Sequence, residues 1–306
     1  MEGYILDMNT FTYTMADMVN GYIKQMFKDY KLYTGYYFNI NHKSQAIIIN
    51  DALGIVKYPM NGFFEDYNSG KSDIKSMASY VFTLYCFRRN TPAQDMIPRQ
   101  EDIFFMTASA TLNREYLSEV PHVRINDDLV AFYRTIRIKD GAEHHTALTY
   151  DMLSAMRSTR QFSDQELYQT ALKNTRARMP FDISESYIKY DPDNAHYIFL
   201  LGKICDTGSN IFLFPDVLRN VAEKEDADLI MAPIERNLIR MGSAKMFDVR
   251  SFDRFLADEN CSVAIKDYLS SQIYIYRKDQ NIIEKATNNP QVFIDNFEYM
   301  KQALRR

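Results

Sequence analysis

The chain has 306 residues, 46% hydrophobic and 25% charged, which is enough apolar material for a sizeable core and excludes a disordered or low-complexity polypeptide. Its formal net charge of −4 gives no global electrostatic reason to expect nucleic acid or an anionic membrane as partner. The cysteines Cys86, Cys205 and Cys261 are widely spaced and form no CxxC, so reduced, free thiols and a cytoplasmic setting are expected. The opening MEGYILDMNTF has neither the basic flank nor the apolar run of a signal peptide. No window approaches the run of about 20 apolar residues that a membrane helix needs. On that reading the sequon at Asn260-Cys261-Ser262 is expected to be chance.

In chain order, Met15, Met18, Val19, Tyr22, Met26 and Tyr30 recur at helical spacing and predict a helix over 14–30 with Thr14 as its N-cap. Its Met-rich stripe reads as a core face rather than a partner groove. Strands are expected over 36–40 and 46–50, around a turn at 41–45. Pro59, Asn61 and Gly62 break the pattern ahead of a short helix over 63–67. Ser72 or Asp73 then caps a helix through Phe87, with Ile74, Met77, Val81, Leu84 and Tyr85 as its stripe. Residues 88–99, with Pro92 and Pro98, form a loop and a candidate lobe boundary. A strand over 103–108 follows.

The stretch 129–138, LVAFYRTIRI, reads as a long central strand, buried on both faces at its start. Beyond it come a strand over 146–149, a helix over 150–156, and a helix opened by the capping-box pattern Ser163-Asp164-Gln165-Glu166. Strands over 197–204 and 211–214 bracket a hairpin loop. A helix starts at Pro215-Asp216 and runs to Glu225, and strands over 229–232 and 237–241 flank Pro233. Short helices are expected over 251–256 and 262–269, an edge-like strand over 272–277, and a last helix from Asn289-Pro290.

Several motifs point to chemistry that their surroundings do not support. Ser69-Gly70-Lys71-Ser72 suggests a phosphate-binding loop, but the required first Gly is replaced by Glu65, so a Gly turn with a Ser N-cap is expected. His144-His145 reads as a solvated turn, since neighbouring strand side chains face opposite ways and one metal cannot take both. The acidic run 223–228 lacks the spacing of a calcium loop and reads as a solvated helix end. Arg157, Arg160, Arg176 and Arg178 form a candidate basic patch, for which helix solvation is the plainer account. No nucleophile elbow, Cys–His pattern or dinucleotide fingerprint occurs.

Four segments together carry a resemblance: NREYLSEVPHVRINDDLVAFYRTIRI at 113–138, LTYDMLSAMRSTRQFSDQELYQTALKNTRARMP at 148–180, IFLFPDVLRNVAEKEDADLIMAPIERNLI at 211–239 and NCSVAIKDYLSSQIYIYRKD at 260–279. Their order and spacing resemble the domain of unknown function 5688 family, over roughly residues 30–280. The resemblance implies a bacterial, mainly Gram-positive, source and carries no activity or catalytic residue. The sequence departs from the family at Ser158-Thr159-Arg160, where an aromatic usually stands. Recurrent positions include Asn113, Arg114, Pro121 and His122. Asn113, Arg114 and His122 are the candidate binding residues, with turn capping as the plainer role.

The fold expected is α+β, an antiparallel or mixed sheet with helices packed on its faces, in two lobes over 1–106 and 107–280 with a C-terminal helix in 281–306. The leading functional expectation is a non-enzymatic cytosolic interaction protein whose partner is another protein, carried on a mobile element or phage. Its alternatives are a hydrolytic enzyme with an unrecognised site and a nucleic-acid binder using a local Arg patch. No cofactor, metal or membrane partner is implied, and the sequence does not set the oligomeric state.

Overall fold

The computed structural model describes residues 6–91, 97–139, 142–159, 163–178, 181–187, 196–202, 208–250, 252–253, 263–264 and 267–286. The chain separates into two units, Met1–Ile97 and Pro98–Arg306. The expected lobes meet at 106/107, while the candidate boundary loop spans 88–99. The contacts place the line within that Pro-containing loop, because Ile103–Ser109 is a strand of the second unit. The fold is α+β, and every strand pair described is antiparallel.

The first unit opens on helix α1, Met8–Met26, six residues before the expected start. Asp7 is its N-cap and accepts from the Thr10 amide at 2.9 Å. The buried stripe Phe11, Met15, Val19, Ile23 follows at intervals of four. Phe27 turns to extended backbone, so Tyr30 begins a strand instead of ending the helix. Strands β1 (Tyr30–Asn39), β2 (His42–Asp51) and β3 (Gly54–Pro59) form a meander. Asn41 in the first two-residue turn, and Gly54 where β3 begins after the second, take positive φ, which Asn and Gly accept most readily. Helix α2 spans Asn61–Asn68. Gly70, at φ +69°, turns the chain towards Asp73, which caps helix α3 (Ile74–Asn90) by accepting from the Ser76 amide. The Ser-Gly-Lys-Ser segment is therefore a turn, as expected, but the cap falls on Asp73 just after it and not on Ser72.

Ile47 and Ile49 of β2 project from one sheet face into a core with Phe11, Met15, Val19, Met77, Val81 and Tyr85. Each such burial is worth roughly 1.5–3 kcal/mol before conformational entropy is set against it. The Met-rich stripe of α1 is a core face in part: Met15 is buried, while Met18 and Met26 are exposed.

In the second unit β6 (Leu129–Lys139) is the centre of a four-stranded sheet, as expected for the long apolar strand. Strand β4 (Ile103–Ser109) pairs along one side of it, and β5 (His122–Arg124) and β7 (Ala142–Ala147) along the other. A short helix α4 (Arg114–Leu117) lies between β4 and β5, with Tyr116 edge-on to Phe132 of β6. Helices α5 (Tyr150–Thr159) and α6 (Asp164–Arg178) follow. The capping box forms as read: Ser163 N–H donates to Glu166 Oε2 at 2.7 Å, and Glu166 N–H to Ser163 Oγ at 3.2 Å.

The other sheet has six strands in the order β13-β12-β10-β11-β9-β8. These are β8 (Phe181–Tyr187), β9 (His196–Gly202), β10 (Leu229–Glu235), β11 (Leu238–Ser243), β12 (Tyr274–Arg277) and β13 (Ile282–Lys285), with helix α7 (Pro215–Glu225) before β10. Pro233 sits in β10 beyond the residues paired with β12, next to a register shift, where its missing N–H costs little.

Several expectations are corrected. Residues 211–214 belong to a 3₁₀ helix, Gly208–Leu213, and its end rather than to a strand. Gly208 packs against the Asn237 carbonyl where no side chain fits, and the Ser209 amide donates to Arg236 O at 2.9 Å. Strand β12 is interior, not an edge, because the turn at Asn281 returns β13 beside it. His144 and His145 lie on strand β7, not in a turn. Strand β13 also occupies the start of the segment expected as a C-terminal helix; the rest of it, 287–306, lies outside the described residues. So does most of the ground of the helices expected over 251–256 and 262–269. Where 262–269 is described, Tyr268 bridges to Glu235 as a strand would.

Candidate functional site

The second unit carries a solvent-open cleft of about 800 Å³. Its walls are set by how the free edge of β4 is closed. An edge strand leaves backbone donors and acceptors unpaired, and burying them without partners is costly. In β4, which is buried throughout, Phe105 N–H donates to Thr175 Oγ1 of α6 at 2.8 Å. The Phe105 carbonyl accepts from Asn210 Nδ2 of the 3₁₀ helix at 3.0 Å. Thr107 and Ser209 join hydroxyl to hydroxyl beside them. Asn174 Nδ2 adds bonds to the Gln100 and Ile103 carbonyls. These bonds hold α6 and the 3₁₀ segment to one strand, and the cleft opens between them.

On α6, Leu167, Ala171 and Thr175 face inward at intervals of four. The Tyr168 ring lies tilted against Phe105 at 5.4 Å between centroids, and Phe105 in turn lies 4.6 Å from Tyr133. The adjoining stripe Gln169, Leu172, Lys173, Arg176 lines the cleft. Across from it stand Phe212, Phe214 and Pro215, and Val123 to Ile125 complete the wall. Phe212 is anchored edge-on at 5.2 Å to the buried Tyr274.

The cleft has an apolar floor and a cationic rim. Arg124, Lys173 and Arg176 face a single acid, Asp216. Arg176 donates to Asp216 at 2.6 Å, and its guanidinium lies 5.6 Å from the Phe214 ring centroid. Lys173 has no ion pair among the described residues. Arg124 is only 3.9 Å from Asp127, in a pair that is mostly exposed on both sides.

The residues singled out in the sequence lie elsewhere. Asn113 is buried, and its side-chain amide donates to the Ser109 carbonyl at 2.9 Å, closing the turn after β4. Arg114 is exposed at the first position of α4. His122 is exposed on β5 opposite Phe132, with Nδ1 3.0 Å from the Val120 carbonyl. None of the three lines the cleft, although His122 directly precedes Val123, which does.

The candidate Arg patch is divided among carboxylates. Arg157 pairs with Asp164, Arg176 with Asp216, and Arg178 lies 3.6 Å from Asp102; Arg160 is outside the described residues. The acidic run is more than a solvated helix end. Asp226 bridges Lys245 and Lys278, both at 2.8 Å, and these ammonium groups hold its carboxyl down at about 2. Asp228 takes Arg277 at 3.0 Å and the Lys278 amide at 2.9 Å. Among the described residues no three His, Cys, Asp or Glu side chains gather as metal ligands. No described helix is long and apolar enough to cross a membrane.

Sequence reasoning missed Lys173, Phe212 and Phe214. The available signal was Leu172 beside Lys173 and Arg176 on one helical stripe, an apolar residue among cations on what otherwise reads as a solvated face.

A family model described as a family of unknown function (DUF5688) matches residues 8–278. No curated protein and no solved structure matches the chain.

Proposed function

The chain belongs to that family of unknown function, and from this premise we propose that it is a non-enzymatic cytosolic interaction protein whose second-unit cleft takes an acidic, apolar segment of another protein. The observation that carries this reading is charge complementarity. In a chain of net charge −4, this apolar cleft sets three cations against one acid. Its volume suits a few side chains, the aromatic walls supply contact area, and the rim selects carboxylates. Asn113 supports the site by fixing the turn that leads to β5, while Arg114 and His122 extend the contact surface beside it. A cytosolic setting fits Cys86, which is a free thiol.

The test is fluorescence anisotropy with labelled peptides that interleave Glu with Leu and Phe, against the same peptides with Lys for Glu. The full chain is compared with Lys173→Glu, and a pull-down from the host is run with both. Peptide binding that weakens as salt rises, and falls about tenfold or more in Lys173→Glu, is expected. Equal binding of acidic and basic peptides, or an eluate of nucleic acid held equally by both proteins, would refute the reading.

A further inference from the structure

The first unit has a separate cleft of about 520 Å³ where the first turn of α2 meets the β1–β2 hairpin. Two independent features there lack the same kind of partner. The first is the helix start. Met60 occupies the N-cap without a side-chain hydrogen bond, and the first turn holds no acid. Among the described residues the N–H groups of Asn61, Gly62 and Phe63 have no acceptor. These donors stand at the positive end of the helix dipole, and all three residues line the cleft. Gly62 has open space where a side chain would stand, so a ligand can approach the backbone closely.

The second feature is Ser44 on β2. It is 4% exposed, its hydroxyl has no hydrogen-bond partner among the described residues, and it stands in the wall of the same cleft. A buried hydroxyl left unpaired is uncommon and calls for an acceptor or donor from outside the chain. Asn61 Nδ2, 3.3 Å from His42 Nε2, ties the helix start to the hairpin beside it.

Free amides and a hydroxyl suit a carboxylate or phosphate, but the cleft also contains Glu65 and Asp66. Asp66 is paired with Lys71 at 3.2 Å. Glu65 is exposed and has no ion pair among the described residues. It lies four residues after Asn61, about 6 Å along the axis. Helical side chains lean towards the N-terminus, which brings its carboxylate back beside the first turn. A plain anion meets repulsion there. A ligand that carries an ammonium next to its carboxylate satisfies both ends.

We infer that this cleft binds a free α-amino acid, with its carboxylate on the amides of Asn61 to Phe63 and the Ser44 hydroxyl, and its ammonium at Glu65. The site is independent of the cleft in the second unit.

Calorimetry on the full chain tests the inference, with each common amino acid, propionate, ethylamine and inorganic phosphate titrated in turn. One or more amino acids bind, and the three part-ligands do not. Ser44→Ala removes a hydroxyl that nothing among the described residues pairs with, so the protein stays folded and amino-acid affinity falls about tenfold. Glu65→Gln changes an exposed side chain, weakens amino acids similarly and lets propionate bind. The inference is overturned if no amino acid binds at millimolar concentration, if propionate or phosphate binds equally well, or if Glu65→Gln leaves affinity unchanged.

Discussion

Replacing Asp51 with Ala is expected to destabilise the first unit by about 3 kcal/mol. The Asp51 side chain is fully buried at the end of β2. It accepts from the Tyr85 hydroxyl at 2.9 Å, from Arg89 at 3.1 Å, from Arg88 at 3.2 Å and from the Leu53 amide at 2.8 Å. Breaking a buried pair costs roughly 3–5 kcal/mol because the stranded partners stay desolvated. The low end applies here. Arg88 keeps the Leu53 and Gly54 carbonyls, and Arg88 and Arg89 are 17% and 23% exposed, so water reaches both. Asp51→Asn keeps the volume and an acceptor for Leu53, and about half the loss is expected. Burial pushes the Asp51 carboxyl up, but the Tyr85 hydroxyl, the Leu53 amide and the two guanidinium groups outweigh it and hold the group below the usual carboxylate range. Its contribution is therefore complete above the ordinary carboxylate pKa and is lost as pH falls through the lower folded value. Urea unfolding of the full chain, with hydrogen exchange read at 42–59 and 74–90 to localise the loss, measures the effect at pH 7 and at pH 3. A loss under about 0.5 kcal/mol at pH 7 for Asp51→Ala, or a gap from Asp51→Asn that widens on acidification, would refute the reasoning.

Thr175→Val is nearly isosteric but leaves the buried Phe105 N–H without its acceptor, and a loss of about 1–3 kcal/mol in urea unfolding is expected; an unchanged midpoint would mean that β4 does not depend on this bond. Gly208→Ala drives a methyl into the Asn237 carbonyl and should cost about 1–3 kcal/mol, with faster hydrogen exchange over 208–213. Ser163→Ala removes half of the capping box, and faster exchange at the first turn of α6 with little change elsewhere is the expected signature.

The capped and periodic elements were legible from the residues themselves. Helix α3 begins after its cap Asp73, one of the two caps the sequence offers, α6 begins after Ser163 and α7 begins at Pro215, where the sequence places them. The long apolar run 129–138 forms the central strand, and the family resemblance is met by the match over most of the chain. Capping, alternation and proline constraints act over a few residues, so they can be read without knowing the fold. Ile211 and Phe212, by contrast, have the side chains of a strand and lie in a 3₁₀ helix, because the Asn237 carbonyl and the edge of β4 shape that segment from far along the chain. Lys173 and Phe214 are 41 residues apart and share a cleft only because Thr175 and Asn210 both close the same strand edge. Ser44 looks ordinary in sequence; its lack of a partner emerges only when β2 is laid beside an uncapped helix start. Local backbone chemistry specifies where elements begin and end, whereas strand pairing and edge closure are long-range, and they alone decide which distant side chains meet in a site.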